Sequence, residues 1–121
     1  MHHLQLDSQA LGGFGANCYV LGLDDNRCVV FDPGAEPDTI KKLIDRRDVA
    51  AILLTHAHGD HIGAVNDIKR ITDAPVYLHP AEAPLAKHIA VDHDLHGGDT
   101  LQFGDVQIKA VHTPGHSDGM I

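Results

Sequence analysis

No apolar run in this chain approaches the roughly 18 residues that a membrane-spanning helix needs. The opening Met1-His2-His3-Leu4-Gln5-Leu6-Asp7 lacks the basic and apolar blocks of a secretion signal. A cytoplasmic protein with no membrane partner is therefore expected. Basic residues are scarce: nine Lys and Arg stand against 17 Asp and Glu, for a formal net charge of −8. With no basic run either, nucleic acid is not an expected partner. Cysteine is nearly absent. Cys18 and Cys28 fall in apolar, strand-like runs and no CxxC occurs, so two buried reduced thiols are expected rather than a cysteine-based zinc site. Low-complexity segments, linkers and short repeats are also missing. The 121 residues, 43% hydrophobic and 21% charged, have the balance of one globular domain.

Histidine is the residue in excess. Its 11 copies outnumber lysine and arginine together. Protonating them all would turn the net charge positive, so solubility and stability should respond to mild acid. Neutral imidazole is also the commonest metal ligand, which makes the placement of these residues informative.

The chain reads as short alternating elements. Gly12-Gly13-Phe14-Gly15 is a loop. Residues 18–23 and 27–32 read as two strands of a hairpin around Asp24-Asp25-Asn26, ended by Pro33-Gly34. Pro37-Asp38-Thr39 opens a helix with Ile40, Leu43 and Ile44 on one face. Residues 50–55 form a buried strand. Residues 61–72 form a second helix with Ile62, Val65, Ile68 and Ile71 as its buried stripe. A short strand at 76–78, a third helix at 81–90 and a hairpin of 101–103 with 106–112 complete a mixed α/β chain whose strands pair mostly as hairpins.

The strand Ala51-Ile52-Leu53-Leu54-Thr55 runs directly into His56-Ala57-His58-Gly59-Asp60-His61. In an extended segment His56 and His58 point the same way. Gly59 lets the backbone turn, delivering Asp60 and His61 at the mouth of the next helix. A distant arm, Val111-His112-Thr113-Pro114-Gly115-His116, places another histidine just past a strand end. His56, His58 and His116 could form a three-imidazole face with an open fourth position, the arrangement of a catalytic rather than a structural site. Asp60 has three open roles: helix cap, ligand to a second metal with His61, or base towards the attacking water; ligation is favoured. Asp32 is either an acceptor for the N–H of a ligand histidine or a turn residue. Thr55, Thr113 and Ser117 are read as turn residues, and His79, His88, His93 and His96 as surface or cap residues.

These residues resemble the HxHxDH motif of the metallo-β-lactamase-fold superfamily. Asn17-Cys18-Tyr19, Val30-Phe31-Asp32-Pro33-Gly34 and Thr113-Pro114-Gly115-His116-Ser117 support the resemblance, which is nearest to the glyoxalase II-like (hydroxyacylglutathione hydrolase-like) enzymes. It implies an αββα sandwich in which residues 1–121 form a single half-domain: a mixed, mostly antiparallel sheet with helices on one face. It also implies a first metal on His56, His58 and His116, a second on Asp60 and His61, and a hydroxide attacking a thioester or similar activated acyl group of a small substrate. Zinc is the default cation, one held tightly and a second less so, with iron or manganese as alternatives. A histidine directly after Asp60 is expected to disfavour antibiotic hydrolysis.

The family's second half supplies a bridging aspartate, a last histidine and most substrate contacts, whereas this sequence stops at Ser117-Asp118-Gly119-Met120-Ile121. Three expectations follow: a fragment of a full hydrolase, a half-length protein completed by self-association, or a metal-binding remnant with little activity. A lone half would expose the inner apolar face of its sheet, so a homo-oligomer is expected.

Overall fold

A computed structural model describes residues 5–12, 16–23, 26–55, 62–103 and 106–111. Six strands form one sheet in chain order: β1 (Gln5–Leu11), β2 (Ala16–Gly22), β3 (Arg27–Phe31), β4 (Asp48–Leu53), β5 (Val76–Leu78) and β6 (His93–Asp94). A separate two-stranded sheet pairs β7 (Thr100–Phe103) with β8 (Val106–Lys109). Helix α1 (Pro37–Ile44) joins β3 to β4, and α2 (Val65–Thr72) lies between β4 and β5.

The sheet is mixed, as expected, with a smaller antiparallel share than expected. β1/β2 and β2/β3 are antiparallel, while β3/β4, β4/β5 and β5/β6 are parallel. The parallel pairs arise because helical crossovers replace tight turns after β3 and β4. β1 was not anticipated. Its sequence, QLDSQAL, is poor in β-branched and aromatic residues, and it forms through seven paired positions with β2 at the sheet edge.

Strand alternation sorts the core into two layers. Cys18, Val20, Cys28, Val30, Ile52, Leu54, Val76 and Leu78 face the helices, where Ile40, Ile44, Val65 and Ile68 meet them. Val29, Ala51 and Leu53 face the other way and pack with Val106, Leu101, Phe103 and Ile108 of the β7–β8 hairpin. The inner sheet face is thus covered over β3 and β4, which corrects the expectation of a fully bare face. Over β1 and β2 it stays open, with Leu6 60% and Tyr19 37% exposed.

Two helical expectations are corrected. Residues 81–90 do not form an α-helix; a 3-10 segment spans Pro80–Leu85. Pro84 sits inside it, and a proline there can neither donate the helical hydrogen bond nor spare the preceding residue from clash. In α2, Val65 and Ile68 are buried but Ile71 is 51% exposed. A series spaced by three drifts about 60° around the helix per step, so its last member has rotated off the core face. Ile68→Ala is expected to cost about 2–5 kcal/mol of stability and Ile71→Ala no more than about 0.5 kcal/mol. Urea titration of both variants checks this; equal losses would contradict the burial.

Cys18 and Cys28 are free and fully buried. Burial pushes the Cys18 thiol up to about 12, with Asp32 adding to it, and the Cys28 thiol up to about 11. Both stay protonated near neutrality in the folded chain, whereas unfolded thiols ionise near pH 8.5. These groups therefore cost the native state stability as pH rises above that point. A thiol-disulfide reagent at pH 8 should react with either cysteine only at the rate of unfolding; fast labelling of the native protein would contradict this.

Candidate metal centre

The HxHxDH segment follows directly, in sequence, from the end of a parallel strand. β4 lies between β3 and β5, and its buried run Ala51-Ile52-Leu53-Leu54 ends at Thr55, the residue covalently preceding His56. Beside it β3 is followed by Asp32, which adopts the left-handed conformation with φ 51° and is 5% exposed. The Asp32 amide donates to the Leu53 carbonyl at 3.1 Å. Its carboxylate accepts from Thr55 twice: Oδ1 from the Thr55 amide at 2.8 Å and Oδ2 from Oγ1 at 2.6 Å. The next residue, Pro33, accepts from the Ala64 amide at 2.9 Å. Residues 55 and 64, which bracket the HxHxDH segment, are therefore both tied to one turn, Asp32-Pro33.

His56, His58, Asp60, His61 and His116 lie outside the described residues, as do Thr113 and Ser117. Of the site residues expected from sequence, Asp32 is the one described, and its described contacts make it the anchor of Thr55. Thr55 serves this junction, as read from sequence. Glu82, 1% exposed in the 3-10 segment, is a second buried carboxyl group. Nothing in its surroundings in sequence, Pro80-Ala81-Glu82-Ala83-Pro84, set it apart from a surface acid.

The other described histidines, His79, His88, His93 and His96, are surface or cap residues. His79 caps the 3-10 segment, its Nδ1 accepting from the Ala81 amide at 3.0 Å. That bond leaves its Nε2 as the protonated nitrogen of the neutral ring. Its ring meets His96 edge-on at 5.4 Å, and His93 stacks on Tyr77 at 4.7 Å. Among the described residues no three His, Cys, Asp or Glu side chains are arranged to hold a metal ion. A cavity of about 350 Å³ opens between the sheet and the hairpin, lined by Phe31, Leu53 and Thr55 on one side and Leu101, Ile108 and Val111 on the other.

The sequence pattern of the metallo-beta-lactamase superfamily matches residues 11–121. The chain belongs to that superfamily. Among its curated relatives, the probable metallo-hydrolase YqgX of Bacillus subtilis is 36% identical over 92% of this chain and 61% of its own length. A hydroxyacylglutathione hydrolase of Bdellovibrio bacteriovorus is 40% identical over 85% of the chain and 42% of its own length. The chain thus spans about three fifths or less of the relatives it matches. Among solved structures, the B3 metallo-beta-lactamase BLEG-1 superposes with a TM-score of 0.84 at 35% identity, covering 96% of this chain and 65% of that one. TTHA1623, solved in a di-iron-bound form, gives 0.77 at 34% identity, covering 94% and 64%. The likeness to BLEG-1 weakens the inference drawn from His61: a β-lactamase is among the proteins this superfamily member resembles.

The residues expected from sequence would, by their chemistry alone, fit the metal that the superfamily implies. Four imidazoles and a carboxylate, free of thiolate, suit a borderline divalent cation such as zinc or iron. Asp32→Ala should remove the carboxylate that accepts both Thr55 bonds and cost about 1–3 kcal/mol, while lowering metal affinity about 10- to 100-fold through the loosened strand end. Asp32→Asn, which tolerates the left-handed backbone, should lose less. Calorimetric zinc titration and urea melts test this; Asp32→Ala with unchanged metal affinity would contradict the anchoring role.

Proposed function

We propose that the chain is the metal-holding part of a hydrolase acting on a thioester or similar activated acyl compound. The observation that carries the reading is the junction itself: HxHxDH follows directly from a buried strand, and the residues flanking it are held by one buried turn. The hydroxyacylglutathione hydrolase relatives support the acyl class. His56, His58 and His116 would hold one divalent cation, and Asp60 with His61 would contribute to a second. A bound cation supplies an activated water and polarises the acyl carbonyl. Asp60 ligates or takes the proton of the attacking water; the carbon–sulfur bond then breaks and the thiol departs with a proton. Asp32 holds Thr55, hence the start of the histidine segment.

The likeness to BLEG-1 favours β-lactam hydrolysis as a second reading. A second copy of the chain is our proposed cover for the open strip at Leu6 and Tyr19, since an apolar strip continuous with a buried core face is costly to leave in water.

The test loads the purified protein with zinc, counts metal per chain, and assays a generic thioester, a phosphodiester and a chromogenic cephalosporin. We expect at least one zinc per chain, thioester turnover above the other two, and loss of both zinc and turnover in His58→Ala with the fold intact. Full zinc occupancy without thioester turnover would overturn the hydrolase reading and leave a metal-binding domain.

A further inference from the structure

Basic side chains are rare in this acidic chain, and they are not scattered. Lys41, Lys42, Arg46 and Arg47 fall close together in sequence, and Lys69 with Arg70 brings the set to six of the nine. The fold gathers both groups at one end. α1 crosses from the end of β3 to the start of its parallel neighbour β4, and α2 does the same between β4 and β5. Both helices therefore finish at the strand starts, away from Thr55. This helix layer covers the sheet face opposite the β7–β8 hairpin. Between the two helix ends lies a cleft of about 540 Å³, within the range of small-molecule sites.

Part of the basic cluster serves the helices themselves. Cations in a last turn offset the negative end of the helix dipole, and Lys69 pairs with Asp92 and Arg70 with Asp67. Arg47 is held in place: its Nε donates to the Ile44 carbonyl at 2.8 Å and its Nη2 to the Leu43 carbonyl at 2.6 Å. Lys41 and Arg46 are different. Both are exposed, and among the described residues neither makes an ion pair or a side-chain hydrogen bond. Lys41, Arg46 and Arg47 all line the cleft, and Asp48 is the one acid among its described lining residues. The rest of the wall is mostly apolar. Ile44 is buried and Val49 half-buried behind the cations, and Ile71, 51% exposed, stands on the α2 side. The drift that takes Ile71 off the core face delivers it to this cleft.

We infer that this cleft binds a small organic phosphate monoester, its dianionic head on Lys41, Arg46 and Arg47 and its apolar body against Val49 and Ile71. Three cations against one carboxylate leave the lining at +2, which matches a dianion. Arg46 keeps its whole guanidinium fork to offer, and paired N–H groups fit phosphate oxygens. Arg47, already fixed by two backbone carbonyls, loses little further freedom in joining it. The apolar wall does nothing for a bare ion, so it favours a phosphate that carries an apolar group. The site lies at the other end of the sheet from the proposed hydrolytic centre, and binding there does not depend on that reading.

The full chain, amide- and methyl-labelled, is titrated with inorganic phosphate and with phenyl phosphate, once loaded with zinc and once after treatment with EDTA. We expect saturable shifts of the amides of residues 46–49 and of the Ile44 and Val49 methyls. Phenyl phosphate should bind about ten-fold tighter than inorganic phosphate, with the same affinities in both samples. Lys41→Gln and Arg46→Gln, both at exposed positions, should each weaken phenyl phosphate about five-fold. Ile71→Ala should shrink the gap between the two ligands and leave inorganic phosphate unchanged. An absence of saturable shifts would overturn the site, as would shifts that persist unchanged in both charge variants. Equal affinity for the two phosphates would overturn it too, since the apolar wall would then contribute nothing. Shifts lost after EDTA treatment would assign the binding to a metal and overturn it as well.

Discussion

One buried carboxylate organises the candidate centre. Asp32 has left the pleat of β3 for a left-handed conformation, and from there its two oxygens take both donors of Thr55 while Pro33 takes the Ala64 amide. A desolvated carboxylate is tolerated only when its lone pairs are used, so the pair holds the strand end as firmly as it satisfies the acid. The segment that carries four of the five candidate ligands is strung between two anchored ends. Fixing those ends removes much of the entropy that a metal would otherwise have to overcome in ordering its ligands.

The sheet makes this anchoring rigid. β4 is buried on both faces, by helices on one side and by the hairpin on the other. A strand in that setting cannot slip by one residue without sending its apolar set to the wrong layer. The register Val30↔Ile52 and Phe31↔Leu53 therefore also sets Asp32 against Thr55. Packing, turn and hydrogen bonds agree on one geometry.

Much of this was legible in the sequence. The β2–β3 hairpin, α1, β4, β5 and the β7–β8 hairpin follow from apolar patterning and Gly, Pro and Asp breakers, and the family resemblance stands on HxHxDH with Thr113-Pro114-Gly115-His116. β1 was hidden because its residues have little strand preference of their own and depend on pairing with β2. The 3-10 segment was hidden because Pro84 can open an α-helix as well as prevent one. Ile71 misled because spacing by three looks regular in sequence while drifting around the helix. The sequence offers candidate ligands, which lie outside the described residues, but not the clamp, since the Asp32 to Thr55 contact joins residues 23 apart whose register only the folded parallel pair reveals.

The central claim is that His56, His58 and His116, two from one strand end and one from a remote turn, share a cation. X-ray absorption at the zinc edge of the loaded protein reads it most directly, by the number of imidazole nitrogens around the metal. The account predicts at least three in the native chain and one fewer in His116→Ala. A shell left unchanged by removing His116 would contradict it.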